Sequence, residues 1–195
     1  MGLTGANIIG GNPRYGREKD DYYATPPEAV EKLLNRHFFR GGVYLEPCAG
    51  NGNIAEVLRD RGWTVDCVDI IDRGCPGTVV ADYLTWQPDR MYDGIITNPP
   101  YKFAAEFIER GLTMLKPGGQ MAMFLKIQFL EGEKRRRLFD KWPPRYIYVF
   151  RKRISTWSNG VAYNPVTGEK WSGVMCMAWY VWDGTRNEPV VRWID

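Results

Sequence analysis

One histidine, His37, stands alone in 195 residues, and the four cysteines, Cys48, Cys67, Cys75 and Cys176, contain no Cys-x-x-Cys pair. A structural zinc site needs four nitrogen or sulfur ligands at short spacings, so no metal centre is expected and the cysteines read as reduced thiols. No apolar run reaches the ~18 residues that a membrane-spanning helix requires. The N-terminus, with Gly2, Gly5, Gly10 and Gly11, has no apolar segment of signal-peptide kind. A cytoplasmic protein is the expectation. Lys and Arg number 26 against 23 Asp and Glu, a net charge of +3, so the chain is no polycation. What is present is 44% hydrophobic residues, enough for one sizeable core. The expected organisation is a flexible arm over 1–20 and a single domain over 21–195.

Along that domain, apolar strand-like segments near 43–46, 64–69, 78–81, 93–97, 120–126, 145–150 and 174–182 alternate, in the first half, with stretches that suit crossover helices. Helices are expected at Glu28 to Phe38, Ile54 to Arg61, Lys102 to Leu115 and Glu131 to Lys141. Lys116-Pro117-Gly118-Gly119 stops the third helix and opens a strand whose continuous apolar run implies burial on both sheet faces. The class is α/β. The last two strands have no helix between them, which predicts an antiparallel hairpin at the sheet edge. Their connection, 151–173, is long and polar enough to carry function.

Val43-Tyr44-Leu45-Glu46-Pro47-Cys48-Ala49-Gly50-Asn51-Gly52-Asn53-Ile54-Ala55 reads as strand, glycine-rich turn and helix. Gly50 and Gly52 allow positive φ and close backbone approach to a ligand, and the small Ala55 allows tight helix packing. Asp69 ends the next strand at about the 20-residue spacing of a dinucleotide fingerprint, so the glycines alone leave that ligand open. Glu46 argues otherwise. A carboxylate ahead of the turn suits an ammonium and would repel a pyrophosphate. Thr25, Pro26 and Glu28 match a capping box with proline at the first helical position, so helix initiation explains much of that segment.

Asn98-Pro99-Pro100-Tyr101 follows the apolar strand Gly94-Ile95-Ile96-Thr97. Two prolines in succession fix the backbone and remove two N–H donors, leaving carbonyl oxygens and the Asn98 amide as a stiff acceptor ledge. Such a ledge suits an amino group, which can donate to the Asn98 side-chain oxygen and the Pro99 carbonyl while its lone pair develops for attack. Tyr101 offers a flat face for stacking, and Phe103 a wall.

The Asn-Pro-Pro-Tyr tetrapeptide, with Glu-Pro-Cys-Ala-Gly-Asn-Gly before it, resembles the S-adenosylmethionine-dependent DNA N6-adenine methyltransferases, in a small phage-type form. The resemblance implies a Rossmann-like fold, a mostly parallel seven-stranded sheet with a reversed last strand and helices on both faces. It implies S-adenosylmethionine as cofactor, with Asn98, Pro99, Pro100 and Tyr101 catalytic. Donor-binding residues would be Tyr23, Thr25, Pro26, Glu46, Pro47, Cys48, Ala49, Gly50, Gly52, Asp69, Ile70, Asp82, Tyr83 and Asn98. Asp69 would take the ribose hydroxyls, Ile70 the adenine ring and Asp82 the adenine amine. A bacterial or phage-infected cytoplasm would be the setting.

Nucleic acid is the expected partner, DNA before RNA. Segment 131–153 carries nine Lys or Arg against three acids, a surplus of six, while the rest of the chain is net negative. Arg135, Arg136, Arg151 and Arg153 are candidate phosphate contacts, and Trp157 a candidate stacking residue. Nothing in the chain resembles a separate target-recognition domain. RNA adenine or guanine methylation, methylation of a protein glutamine, and a non-catalytic nucleic-acid module with a vestigial cofactor fold are the alternatives.

Overall fold

The computed structural model describes residues 22–171 and 175–195. The arm expected over 1–20 and the last residues of the 151–173 insertion lie outside the described residues. In chain order the elements are β1 (Tyr23–Ala24), α1 (Pro27–Arg36), β2 (Val43–Glu46), α2 (Asn53–Asp60), β3 (Thr64–Asp69), β4 (Thr78–Val80), β5 (Tyr92–Thr97), α3 (Ala104–Met114), β6 (Leu115–Lys126), α4 (Arg136–Lys141), β7 (Tyr146–Phe150), β8 (Trp157–Ser158), β9 (Met177–Trp182) and β10 (Val190–Ile194). Among the described residues no helix is long and apolar enough to cross a membrane.

Eight strands form the main sheet in the order β10-β7-β9-β6-β5-β2-β3-β4. β9 alone runs against its neighbours, antiparallel to both β6 and β7, and the other pairings are parallel. The α/β, mostly parallel architecture with one reversed strand is the expected one, with two differences. First, the β7–β9 pair lies inside the sheet, because β9 inserts between β6 and β7; the hairpin expected at the edge is central. Second, an eighth strand, β10, occupies that edge through a register running from Val190↔Tyr146 to Ile194↔Phe150.

Both faces are covered, so the central strands are apolar on each side. Along β6 the side chains alternate between two cores. Ala122 and Phe124 join Leu33, Ile54, Leu58 and Trp179 in the core that α1 and α2 cover. Met121, Met123 and Leu125 join Phe107, Ile108 and Leu138 in the core that α3 and α4 cover. Trp179 is fully buried, and its indole Nε1 donates to the Ala29 carbonyl at 2.9 Å, tying α1 to the sheet. Burial of so large a side chain contributes roughly 2–3 kcal/mol, and the bond meets the one polar demand that the burial creates.

Two local expectations are corrected. The helix expected at Glu28 to Phe38 spans Pro27–Arg36 with Pro26 before it, not as its first residue, and Thr25 does not cap it: its hydroxyl is buried with no partner. The Pro117-Gly118-Gly119 turn lies inside β6, where the register against β5 shifts between Tyr92 and Gly94. A Cβ on Gly119 would press on the carbonyls of Tyr92, Asp93 and Lys116 at 3.0–3.1 Å, so only glycine lets the strand resume there.

Candidate active site

Parallel strands put their C-terminal ends at one edge of a sheet, and here β2, β3, β4 and β5 deliver Glu46, Asp69, Ala81 and Asn98 to that edge. Chain order reverses between β2 and β5, since α2 carries the chain to β3 on one side and the later strands build the other. Open α/β sheets bind ligands at such a switch point.

Across it, Thr97 Oγ1 donates to Glu46 Oε1 at 2.5 Å, and the Cys48 N–H donates to the same oxygen at 3.2 Å. Glu46 is 0% exposed and its Oε2 has no partner. Burial pushes the Glu46 carboxyl well above the usual carboxylate range, against the opposing pull of those two hydrogen bonds. Burial likewise raises the Cys48 thiol, which keeps it protonated. Oε2 and the equally unpartnered Thr25 Oγ1 are two buried oxygens without a hydrogen-bond partner among the described residues.

The glycine-rich turn is fastened by Asp69. Its Oδ2 accepts from the Gly50 N–H at 2.8 Å and its Oδ1 from the Ile71 N–H at 3.1 Å. Each oxygen keeps a lone pair. Gly50 and Gly52 have φ of 53° and 95°, which glycine adopts without strain. Pro47 and Ala49 are buried beneath them. Ile70 projects at the rim, 67% exposed.

Asp82 is exposed and occupied locally: its Oδ1 accepts from the Leu84 N–H at 2.9 Å, and its carbonyl accepts from Thr85 and Trp86. Tyr83 departs from the expectation. It is buried in the α3-side core, its ring centroid 4.6 Å from that of Phe107, so it supports the sheet from below the edge.

Asn98 leaves β5 at this edge, and its Nδ2 donates to the Tyr23 carbonyl at 2.8 Å. That contact fixes which way the amide faces and leaves Oδ1 without a donor among the described residues. Buried Pro99 and exposed Pro100 follow, then a tight turn over Tyr101–Phe103. Tyr101 is held, not splayed: its hydroxyl donates toward Met177 Sδ at 3.9 Å and the Lys126 ammonium lies 4.7 Å from the ring centroid. Phe103 is exposed at the same turn.

Sequence reading missed Tyr22 and Asn53. Asn53 Nδ2 donates to the Thr25 carbonyl at 3.0 Å, so this asparagine at the start of α2 and Asn98 after β5 both grip the Tyr23–Thr25 segment through backbone oxygens. Tyr22 rests on Gly50, with Arg73 stacked 4.2 Å above its ring. The position of Asn53 directly after Gly52, like that of Asn98 directly after β5, was the available clue.

The insertion also comes to this edge, since β7 ends there and β9 begins there. β8 pairs antiparallel with β1, Tyr23 opposite Ser158 and Ala24 opposite Trp157. Trp157, the expected stacking residue, is thus half-buried at a ladder position of β8. Beyond it the chain folds into a hairpin, bridged at Tyr163 and Lys170, with Asn164 Oδ1 accepting from the Val166 N–H at 2.9 Å in its turn.

Of the expected phosphate contacts, Arg151 pairs with Asp195 at 3.0 Å, and Arg136 with Glu133 at 3.4 Å and Asp140 at 3.6 Å. Arg135 lies over Phe129 and donates to the Glu131 carbonyl. Arg153, Lys134 and Arg137 are exposed. Among the described residues there is no group of three or more His, Cys, Asp or Glu placed to hold a metal ion.

No family model matches the chain. Solved structures do. A Listeria monocytogenes protein described as a class I S-adenosylmethionine-dependent methyltransferase superposes with a TM-score of 0.59 at 13% identity, over 96% of this chain and 70% of its own. A modification subunit of a type I restriction enzyme from Vibrio vulnificus gives 0.58 at 12% identity, over 91% of this chain and 48% of its own, so the present chain spans about half that subunit's length. The 1,6-didemethyltoxoflavin-N1-methyltransferase of Burkholderia thailandensis, solved with S-adenosylhomocysteine, gives 0.53 at 14% identity, over 80% of this chain and 76% of its own. At such identities the likeness is one of fold, and the fold is that of the Rossmann-like, S-adenosylmethionine-dependent methyltransferases.

Proposed function

We propose that the protein is an S-adenosylmethionine-dependent N-methyltransferase acting on the exocyclic N6 amine of adenine in DNA. The observation that carries the reading is the Asn98 amide at the switch point, whose Nδ2 is committed to the Tyr23 carbonyl and whose Oδ1 is left without a donor among the described residues. The fold's likeness to methyltransferases, one of them a restriction-modification subunit, supports it.

The residues fit the donor. The unpartnered Glu46 Oε2 suits the donor's amino group, and the ammonium in turn would hold that carboxyl ionised. The remaining lone pairs of Asp69 suit ribose hydroxyls, and exposed Ile70 suits the face of an adenine ring. When bound, S-adenosylmethionine supplies an electrophilic methyl on a sulfonium leaving group.

For the acceptor, Asn98 Oδ1 takes one N6 hydrogen and the Pro99 carbonyl the other. With both hydrogens held, the lone pair points at the methyl carbon. The N–C bond forms as the C–S bond breaks, and the extra proton leaves the nitrogen for solvent afterwards. No side-chain base is required, and positioning supplies most of the acceleration.

The adenine stacks on Tyr101 in place of the Lys126 ammonium. A cation–π contact at a half-open site is worth about 0.5–1 kcal/mol and base stacking about 1–3, so the exchange favours the base. Flipping the base costs a few kcal/mol, which favours partly unpaired DNA as substrate.

Labelled donor incubated in parallel with DNA, RNA and a mixture of proteins, followed by digestion of each, tests this. Label in N6-methyladenine from DNA is expected. Label only in RNA or in glutamine side chains would reject the substrate assignment.

A further inference from the structure

Tyr22 touches three parts of the site that the chain brings from far apart. Its ring edge rests on the glycine-rich turn, where a Cβ on Gly50 would stand 3.1 Å from it. Its face carries the Arg73 guanidinium at 4.2 Å, from the loop that follows Asp69. Its hydroxyl lies against Gly160 of the insertion, so closely that a Cβ there would overlap the oxygen, and its carbonyl accepts from the Asn159 N–H at 2.9 Å. The same Cβ would stand 3.3 Å from Asn51 Nδ2, between the two glycines of the turn.

β8 is only two residues long, so the β1–β8 pairing adds few bonds of its own to hold the insertion against the core. Tyr22 and Gly160 form the side-chain contact that continues that ladder onto the donor turn. An element seated on both ligand sites transmits binding at one to the other, in both directions.

We propose that Tyr22 is a positioning residue that couples the donor site to the 151–171 insertion, so that placement of the insertion sets donor affinity. The inference rests on the reading of the glycine-rich turn as the donor site. It requires that a change made only on the insertion, whose added Cβ overlaps the Tyr22 hydroxyl and only touches Asn51 at 3.3 Å, weaken donor binding through that hydroxyl.

The test is calorimetric titration with S-adenosylhomocysteine of four forms of the full chain: wild type, Gly160→Ala, Gly168→Ala, and Gly160→Ala combined with Tyr22→Phe. Gly160 and Gly168 have similar φ, 75° and 69°, but a Cβ on Gly168 meets nothing within 4 Å. Both alanines therefore carry the same left-handed strain, and only one strikes Tyr22. Gly160→Ala should weaken binding roughly ten-fold relative to Gly168→Ala, within the usual range of site-to-site coupling. Removing the hydroxyl in the double variant should restore affinity to within about three-fold of wild type, a rescue that general loss of structure would not give.

Equal affinities for Gly160→Ala and Gly168→Ala would overturn the coupling, and so would a double variant as weak as Gly160→Ala alone. If Gly160→Ala does not fold, the double variant against wild type and Gly168→Ala decides the matter by the same criterion. A wild type that does not bind S-adenosylhomocysteine would instead remove the donor-site reading, and the inference with it.

Discussion

Thr97 Oγ1 donates to Glu46 Oε1 at 2.5 Å, a bond that closes the gap between β2 and β5 and assigns one carboxyl oxygen to the protein while the other is left over. Thr97 is the residue before Asn98, so the donor side and the acceptor ledge proposed above share one buried hydrogen bond. Glu46→Gln should weaken S-adenosylhomocysteine binding by roughly ten-fold or more, the cost of losing a charged hydrogen bond. Calorimetric titration at neutral pH checks it, and an unchanged affinity would refute the role given to Oε2.

The same carboxyl predicts a pH effect. Its folded pKa lies above its unfolded value of 4.5, because burial disfavours the charge. The stability it contributes is fully present below about 4.5 and is lost as pH rises through the folded pKa. Glutamine does not titrate. In thermal melts from pH 4.5 to 8 without ligand, Glu46→Gln should gain on wild type as pH rises, and saturating S-adenosylhomocysteine should shrink that gain.

His37 titrates in the opposite sense. Its Nδ1 meets the Tyr148 hydroxyl at 2.8 Å in an aromatic cluster, and burial holds its pKa down at about 4 against an ordinary 6.5. Stability from this group is present above 6.5 and lost as pH falls toward 4, because the unfolded chain takes up the proton first. His37→Gln should flatten the acid limb of a melting-temperature profile between pH 6.5 and 4, and should leave methyl transfer at neutral pH unchanged.

Nucleic-acid affinity should fall steeply with salt. Arg136 is already paired with Glu133 and Asp140, whereas Lys134 and Arg137 have no ion pair among the described residues. Replacing Lys134 and Arg137 together by alanine should reduce the slope of log affinity against log salt by about 2, and Arg136→Ala by less than 1. Fluorescence anisotropy with a short duplex over a salt series measures both. A wild-type affinity indifferent to salt would remove the basic-patch reading.

The course of the main chain was readable because its signals are local. Four helices and seven strands lie near where periodicity, prolines and glycines put them, since buried strands such as Met121–Leu125 must be apolar on both faces and helices such as α3 on one. The bounds differ most at α4, which starts five residues later than expected, and at β6, which starts five residues earlier. Pairing order was not local. Nothing in Met177–Trp182 says that it inserts between β6 and β7, which depends on contacts made more than 50 residues apart. Val190–Ile194 escaped notice because its alternation, half exposed at an edge, is short and follows Pro189.

At the site, residue types showed which chemistry is on offer but not which way the side chains turn. Tyr83 and Asp82 are neighbours on a turn, yet one enters the core and the other bonds its own backbone. Thr25 matched a capping box in sequence and caps nothing, its hydroxyl lying buried without a partner. Tyr22 and Gly160 are 138 positions apart in the chain, and only the folded structure brings them together.

The acceptor ledge at Asn98 is tested most directly by separating turnover from donor binding in Asn98→Ala, with labelled S-adenosylmethionine and DNA. Transfer to adenine N6 should fall by about 10²-fold or more, the usual cost of removing one transition-state hydrogen bond, while S-adenosylhomocysteine affinity stays within about three-fold of wild type. Undiminished transfer by Asn98→Ala, with donor binding intact, would contradict the account.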